Sequence, residues 1–282
     1  MKSKFRLTFL IIVISIVLPM QTFAFNLAED KKEPKVEEKK EDSVKEKSNY
    51  GVPSHVLSIS QENTYPNSTQ DQTVLEPSEL TKELLENVDT PIENPELIRM
   101  LNESSLKTSP LAIGYRGMIY MGHWPINYES NETSINWEYH EINTNRINNL
   151  GGKEQQTLHY QQEEEKHVKG ALTTKIDQAK EIKKMMLLKA HEETELPLAF
   201  HTVIGQGTKK ANSYGIPPKQ IGTLKAFAPA VNEKGVVTFA EVYLELKGSK
   251  KKLVVKNVTR QGIGAWIPVQ DYVSFGFTLK DH

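Results

Sequence analysis

The stretch Val236-Val237-Thr238-Phe239-Ala240-Glu241-Val242-Tyr243-Leu244-Glu245-Leu246 decides the fold class. Val236, Thr238, Ala240, Val242, Leu244 and Leu246 recur at every second residue, the period of a β-strand with one face on a core. Asn232-Glu233-Lys234-Gly235 just before it has turn composition, so the strand is expected to begin there. The basic segment Lys247–Lys252 after it reads as a hairpin tip. Beyond the tip come three apolar groups: Leu253-Val254-Val255; Ile263, Ala265 and Ile267; then Val273, Phe275, Phe277 and Leu279. Short turns between such strands predict an antiparallel meander or Greek key.

Working towards the N-terminus, Ala179, Ile182, Met186 and Ala190 form a helical stripe covered by Lys175, Lys180, Glu181, Lys183 and Lys184, with Pro197 as a stop. Packing on the protein's own sheet is the expectation for this helix, ahead of an anionic membrane surface. Asn143–Lys153, rich in asparagine and carrying Gly151-Gly152, reads as a long loop. Ile135, Trp137 and Tyr139 alternate with polar residues as one strand, and Leu111, Ile113, Tyr115, Ile119 and Met121 as another. Two short helices are expected earlier. One follows Pro77-Ser78 with Leu80, Leu84, Leu85 and Val88; the other is capped by Asn94, has Pro95 in its first turn, and carries Leu97, Ile98 and Leu101. The class is therefore α+β: an antiparallel β-rich domain with about three packed helices.

The domain is expected to span residues 49–282. Residues 25–48 precede it; between Glu29 and Ser48 seven lysines and eight acidic residues leave only two valines apolar, the composition of a disordered tether. Residues 1–24 have the form of a secretory signal. Lys2, Lys4 and Arg6 precede the apolar run Leu7–Leu18, Pro19 breaks the helix, and Thr22-Phe23-Ala24 offers small residues before a cut. The apolar run is shorter than a comfortable membrane span, which favours cleavage over an uncleaved anchor. The expected location is outside the cytoplasmic membrane, at the membrane–wall interface.

The chain contains no cysteine, which closes the lipoprotein route and thiol catalysis and leaves no disulfide. Its 35 Lys and Arg against 36 Asp and Glu argue against nucleic-acid binding. No HExxH motif is formed by the eight histidines. His159 and His167 lie about 27 Å apart if the chain between them is extended, so they meet on a metal only with help from elsewhere. There is no GxSxG elbow, and Gly205-Gln206-Gly207-Thr208 departs from a GxGxxG loop at Lys210, leaving a tight turn or bulge as its reading. Glu241 and Glu245 share a strand face about 13 Å apart, beyond the ~9.5 Å limit of a glycosidase pair. No catalytic residue, metal site or cofactor is expected.

Aromatic residues are the remaining candidates. Trp124, Tyr128, Trp137, Tyr139, Phe239, Tyr243 and Trp266 occur in strand-like contexts with polar neighbours; such rings either fill a core or stack on sugar and peptide. The set opposite the apolar face of the 236–246 strand, Phe239, Glu241, Tyr243 and Glu245, together with Trp266, is the candidate binding surface.

Five stretches carry a family resemblance: Val52–His55, Asn94–Glu103, Ser134–Tyr139, Ala228–Gly235 and Gly262–Asp271. Together they resemble the YfkD-like family, exported proteins of Bacillus-type, spore-forming bacteria, from about Val52 to the end of the chain. The resemblance implies a Gram-positive envelope setting, with a role around spore formation, and assigns no catalytic or binding residue. The expected function is a non-enzymatic binding or structural module whose partner is an envelope protein or wall polymer, with the membrane involved only through the N-terminus. The alternatives are an exported hydrolase of wall glycan or peptide and a membrane-anchored accessory subunit.

Overall fold

The computed structural model describes residues 51–68, 74–104, 114 and 116–281. The signal, the charged tether and the strand positions Leu111, Ile113 and Tyr115 lie outside them. Along the chain the elements are β1 (Val56–Ser58), α1 (Glu79–Leu85), α2 (Pro95–Glu103), β2 (Arg116–Asn148), β3 (Gln156–Gln161), β4 (Lys166–Lys169), β5 (Ala171–Leu172), α3 (Ala179–Thr194), β6 (His201–Ile204), β7 (Lys209–Ile216), β8 (Gln220–Lys247), β9 (Lys250–Pro268) and β10 (Tyr272–Asp281). Every strand pairing is antiparallel, and the described residues carry three helices, so the α+β class holds.

The central strand is longer than its sequence limits suggest. β8 runs unbroken through Asn232–Gly235, where a turn was expected. Asn232 is registered with Ser134 on one side and Trp266 on the other, and Glu233 with Thr133 and Ala265. Ladder partners on both flanks override the local turn preference. Gly235 serves another purpose: a Cβ there would meet the Glu129 carbonyl oxygen and the Tyr128 hydroxyl, so glycine permits β2 to cross closely.

β2 follows β8 from Ile221 to Lys247, which occupies one flank of β8 completely. β10 and β9 must therefore share the other flank end to end, with β10 beside Gln220–Phe227 and β9 beside Ala230–Lys247. Leu253 and Ile263, expected on separate strands, both belong to β9. The β8–β9 hairpin does close at the basic tip, through Gly248-Ser249 with Gly248 at φ 62°. β1 and β5 extend the sheet beyond β10 and β9.

All five register shifts between β2 and β8 put the additional residues on β2. Each such bulge bends β2 and resets which side chains face inward, which is how Ile126 and Tyr128 come to join different clusters. Gly122 at φ 117° and Pro125 sit at two of the shifts, where an irregular strand without a second ladder tolerates them. The expected loop at Asn143–Lys153 is strand as far as Asn148. Asn143 and Asn145 there bond to the Gln161 carbonyl at 2.8 and 2.9 Å, side-chain partners that a composition-based loop assignment does not anticipate.

The two parities of β8 are buried against different elements. Val231, Val237 and Phe239 pack with Ile182, Met185, Met186, Leu187 and Ala190 of α3. Ala240, Val242 and Leu244 pack with Leu84 of α1, and Leu97 and Leu101 of α2. Leu224, Ala226 and Ala228 pack with Leu158, Tyr160, Val168, Ile204 and Ile216 from the two-stranded pairs β3–β7 and β4–β6. A strand covered on both sides reads as a near-continuous apolar run. The lysine-rich α3 thus packs on the sheet, and it stops at Glu195 (φ 58°), two residues before Pro197.

Asn94 ties the first helical layer to the sheet. Its Oδ1 accepts from the Glu96 and Leu97 N–H groups, at 2.9 and 3.3 Å, and its Nδ2 donates to the Pro125 carbonyl at 2.7 Å. The side chain is buried, so Asn94→Ala is expected to cost about 2 kcal/mol by losing a cap and orphaning a bulge carbonyl. Urea unfolding checks this against Ser78→Ala, the exposed cap of α1, which should lose clearly less.

Candidate functional site

The cover that α3 lays over β8 ends at Phe239. The helix begins after Gln178, whose Nε2 donates to the His123 carbonyl at 2.7 Å, and His123 stacks on Phe239 with centroids 5.6 Å apart. From there on the same parity of β8 continues as Glu241, Tyr243 and Glu245, all half-buried. The register sets His123 and Lys256 beside Glu241, Tyr120 and Val254 beside Tyr243, and Met118 and Lys252 beside Glu245.

Several of these side chains contact one another. Tyr120 and Tyr243 lie with ring centroids 5.2 Å apart at 49°, and Tyr120 is 56% exposed. The Tyr243 hydroxyl donates to Glu241 Oε2 at 2.8 Å, and Asn257 Nδ2 donates to the same oxygen at 2.9 Å. That bond to a carboxylate holds the Tyr243 phenol above its ordinary pKa. Lys256 Nζ sits 5.1 Å from the Tyr243 centroid and 3.7 Å from Met118 Sδ. Asn257 reaches Glu241 because β9 bulges here, with Asn257 at φ 52°. The result is an aromatic platform edged by a carboxylate, an amide and an ammonium. Rings supply apolar area, and the edge supplies donors and acceptors, which suits a sugar ring or an extended peptide.

Glu241, Tyr243 and Glu245 thus stand together on this face, whereas two other expected members lie elsewhere. Phe239 is 5% exposed and part of the α3 core, because the helix covers that end of the face. Trp266 stands opposite Asn232, far along the ladder from Tyr243, where it stacks on Tyr139 with centroids 4.9 Å apart. Of the other aromatics, Tyr128 is buried, Trp124 packs on the helical-hairpin core, and Trp137 packs on the α3 core.

The YfkD-like protein family model matches residues 53–282 of this chain. The chain belongs to the YfkD-like family. It is 61% identical over 234 residues to a Bacillus subtilis (strain 168) protein named "Uncharacterized protein YfkD", covering 83% of this chain and 89% of that one. Three stretches that carry the family resemblance meet in the sheet of this YfkD-like chain. Ile135, Val231 and Ile267 share one rung, and Glu233 and Ala265 another, with Thr133, one residue before the Ser134–Tyr139 stretch, opposite Glu233.

On the second of those rungs is a residue that sequence reading assigned to a turn. Glu233 is 0% exposed. Tyr128 donates to its Oε1 at 2.8 Å and Thr133 to its Oε2 at 2.7 Å. Burial pushes the Glu233 carboxyl above its ordinary value, against the hydroxyl bonds from Ser130, Thr133 and Tyr128, with the charge of Glu193 adding to the rise. Tyr120, Lys256 and Asn257 were also not singled out. They reach the candidate face only through the pairing of β2 and β9 to β8 and the bulge at Asn257, none of which has a local sequence signature.

Proposed function

We propose that this YfkD-like chain is a non-enzymatic binding module of the cell envelope, exported by its N-terminal leader and working at the membrane–wall interface. The observation that supports it is the uncovered end of the central sheet, where Tyr120 and Tyr243 form an open platform beside Glu241, Asn257 and Lys256. A rigid strand surface with donors, acceptors and a cation at its margin suits repeated weak contacts along a wall polymer. Export rests on the leader itself: basic residues, an apolar run, Pro19 and the small residues before Phe25. The charged segment after it would hold the domain away from the bilayer.

Protein recovered from the host's medium or envelope is expected to begin at Phe25 on N-terminal sequencing. An intact Met1 end in the membrane fraction would make the protein an anchored accessory subunit, and an intact cytosolic product would end the export reading. Purified full-length protein should sediment with insoluble cell wall. The Tyr120→Ala, Tyr243→Ala double variant should lose about tenfold in retention, equivalent to roughly 1.4 kcal/mol. Undiminished retention of the double variant would remove this face as the binding surface.

A further inference from the structure

A cavity of about 370 Å³ opens beside the first half of α3, lined by Ala179, Lys180, Lys183, Lys184, Leu187 and Phe200. None of these residues belongs to the tyrosine platform. The five from α3 lie on one flank of the helix, because three- and four-residue spacing brings side chains to the same side. Phe200 reaches that flank through the return of the chain after the helix. Leu198 bridges to Val269, the Ala199 N–H donates to the Pro268 carbonyl at 3.1 Å, and the Phe200 carbonyl accepts from the Gly170 N–H at 2.8 Å. The ring is thus carried by backbone that is anchored on both sides.

The lining is hydrocarbon and its charge is all of one sign. Leu187 is buried and Phe200 half-buried, and lysine lays its methylene stem along apolar surface while its ammonium stays at the water. Lys183 Nζ sits 4.9 Å from the Phe200 centroid. Further along the same helix Lys189 meets Glu93 and Glu192 at 3.5 and 3.6 Å, whereas among the described residues Lys180, Lys183 and Lys184 form no salt bridge. Glu96 on α2 feels Lys184 and Lys180, but Arg99 already holds it and is the chief reason its carboxyl lies below the ordinary value. Three ammonium groups therefore share an apolar hollow with no anion of their own. A concave apolar site with a few charged groups is the form taken by small-molecule pockets.

We infer that this cavity binds a single-chain amphiphilic anion, an alkyl carboxylate of the fatty-acid kind, with its chain on Phe200 and Leu187 and its carboxylate among Lys180, Lys183 and Lys184. Both halves of that ligand have a partner here. The chain removes apolar wall from water, which is the larger contribution. The carboxylate accepts from two or three ammonium groups, each carrying three donors. Lys183 exchanges its contact with the ring for the carboxylate, and the ring face is then open to the chain. A bare inorganic anion would leave the Phe200 and Leu187 surface unused, and a neutral chain would leave the three charges unmatched.

The test is calorimetric titration of purified full-length protein with sodium decanoate, kept below micelle formation, with decanol as the uncharged arm and sodium acetate as the arm without a chain. One decanoate per chain is expected, and no saturable uptake of acetate. Octanoate, two methylenes shorter, should bind about 4- to 16-fold more weakly. The triple variant Lys180→Gln, Lys183→Gln, Lys184→Gln should weaken decanoate at least about tenfold and leave decanol within about twofold, because it removes the charges and keeps the walls. Ala179→Leu places a larger side chain in the cavity and should weaken both ligands by about tenfold. All four substitutions introduce good helix formers, and circular dichroism checks that α3 is retained. Decanoate binding that is undiminished in both variants would put the ligand elsewhere on the chain and overturn the inference, as would no saturable uptake by the wild-type chain. Retention on anionic phospholipid vesicles that falls in the triple variant, without saturable decanoate uptake, would make this flank a membrane contact and overturn it too.

Discussion

Gly235→Ala is expected to destabilise the domain by about 3 kcal/mol or more, the largest single-methyl effect argued from this sheet. The added Cβ would face the Glu129 carbonyl oxygen and the Tyr128 hydroxyl. The first of these is backbone, fixed by its ladder to β8, so it has little freedom to retreat. The second belongs to a ring that is 1% exposed and bonded to Glu233, so moving it breaks a buried hydrogen bond. Gly262→Ala, on β9 beside Val236, is the control, because a Cβ there meets nothing within 4 Å. Urea unfolding of the two variants should separate them clearly. Equal stabilities would mean that Gly235 is not needed for the close crossing of β2.

Glu233 provides the second large effect, and its sign depends on pH. In the folded chain its carboxyl sits above the ordinary value of 4.5, because burial penalises the anion more than the three hydroxyl bonds favour it. The folded state therefore keeps a proton that the unfolded state releases once pH passes about 4.5. Stability from this group is complete below that pH and is lost as pH climbs towards and through the folded-state value. Glu233→Gln mimics the protonated acid without titrating. Its advantage over wild type should be absent near pH 4, should grow as pH rises above about 4.5, and should level off once pH passes the folded-state value. Glu233→Ala, by contrast, opens a cavity and strands the Tyr128 and Thr133 hydroxyls, costing about 2–4 kcal/mol near pH 4, and this cost relative to wild type shrinks as pH rises and the wild-type carboxyl loses its stabilising proton. The readout is the difference between wild-type and Gln unfolding free energies at several pH values. A difference that stays flat would show that Glu233 titrates as an ordinary carboxyl.

Local signals located the helices well. Ser78 and Asn94 accept from the first-turn N–H groups of α1 and α2, and the Ile182–Met186–Ala190 stripe lies on the core side of α3. Capping and helical periodicity are short-range effects, written within a few residues. The hairpin at Gly248-Ser249 was legible for the same reason. The candidate face was partly legible: alternation on β8 grouped Glu241, Tyr243 and Glu245, and the structure keeps them on one parity. What α3 covers, however, is distant in sequence: Phe239 lies 45 residues beyond Thr194, the last residue of the helix. No local pattern could reveal that Phe239 falls under the helix while Tyr243 lies beyond its start.

By itself, then, the sequence determined where α1 and α2 begin, the antiparallel β-rich class and which residues of β8 share a face, because those follow from side-chain spacing and capping along a single segment; α1 ends at Leu85, before Val88, and α3 begins at Ala179, after Lys175. Only the tertiary structure decided that Asn232–Gly235 is strand, that Glu233 is buried and that Tyr120 stacks on Tyr243. Each of these depends on which distant backbone occupies the neighbouring rung. A ladder partner satisfies the same N–H and C=O groups that a turn would leave to water, so the pairing overrules the local preference.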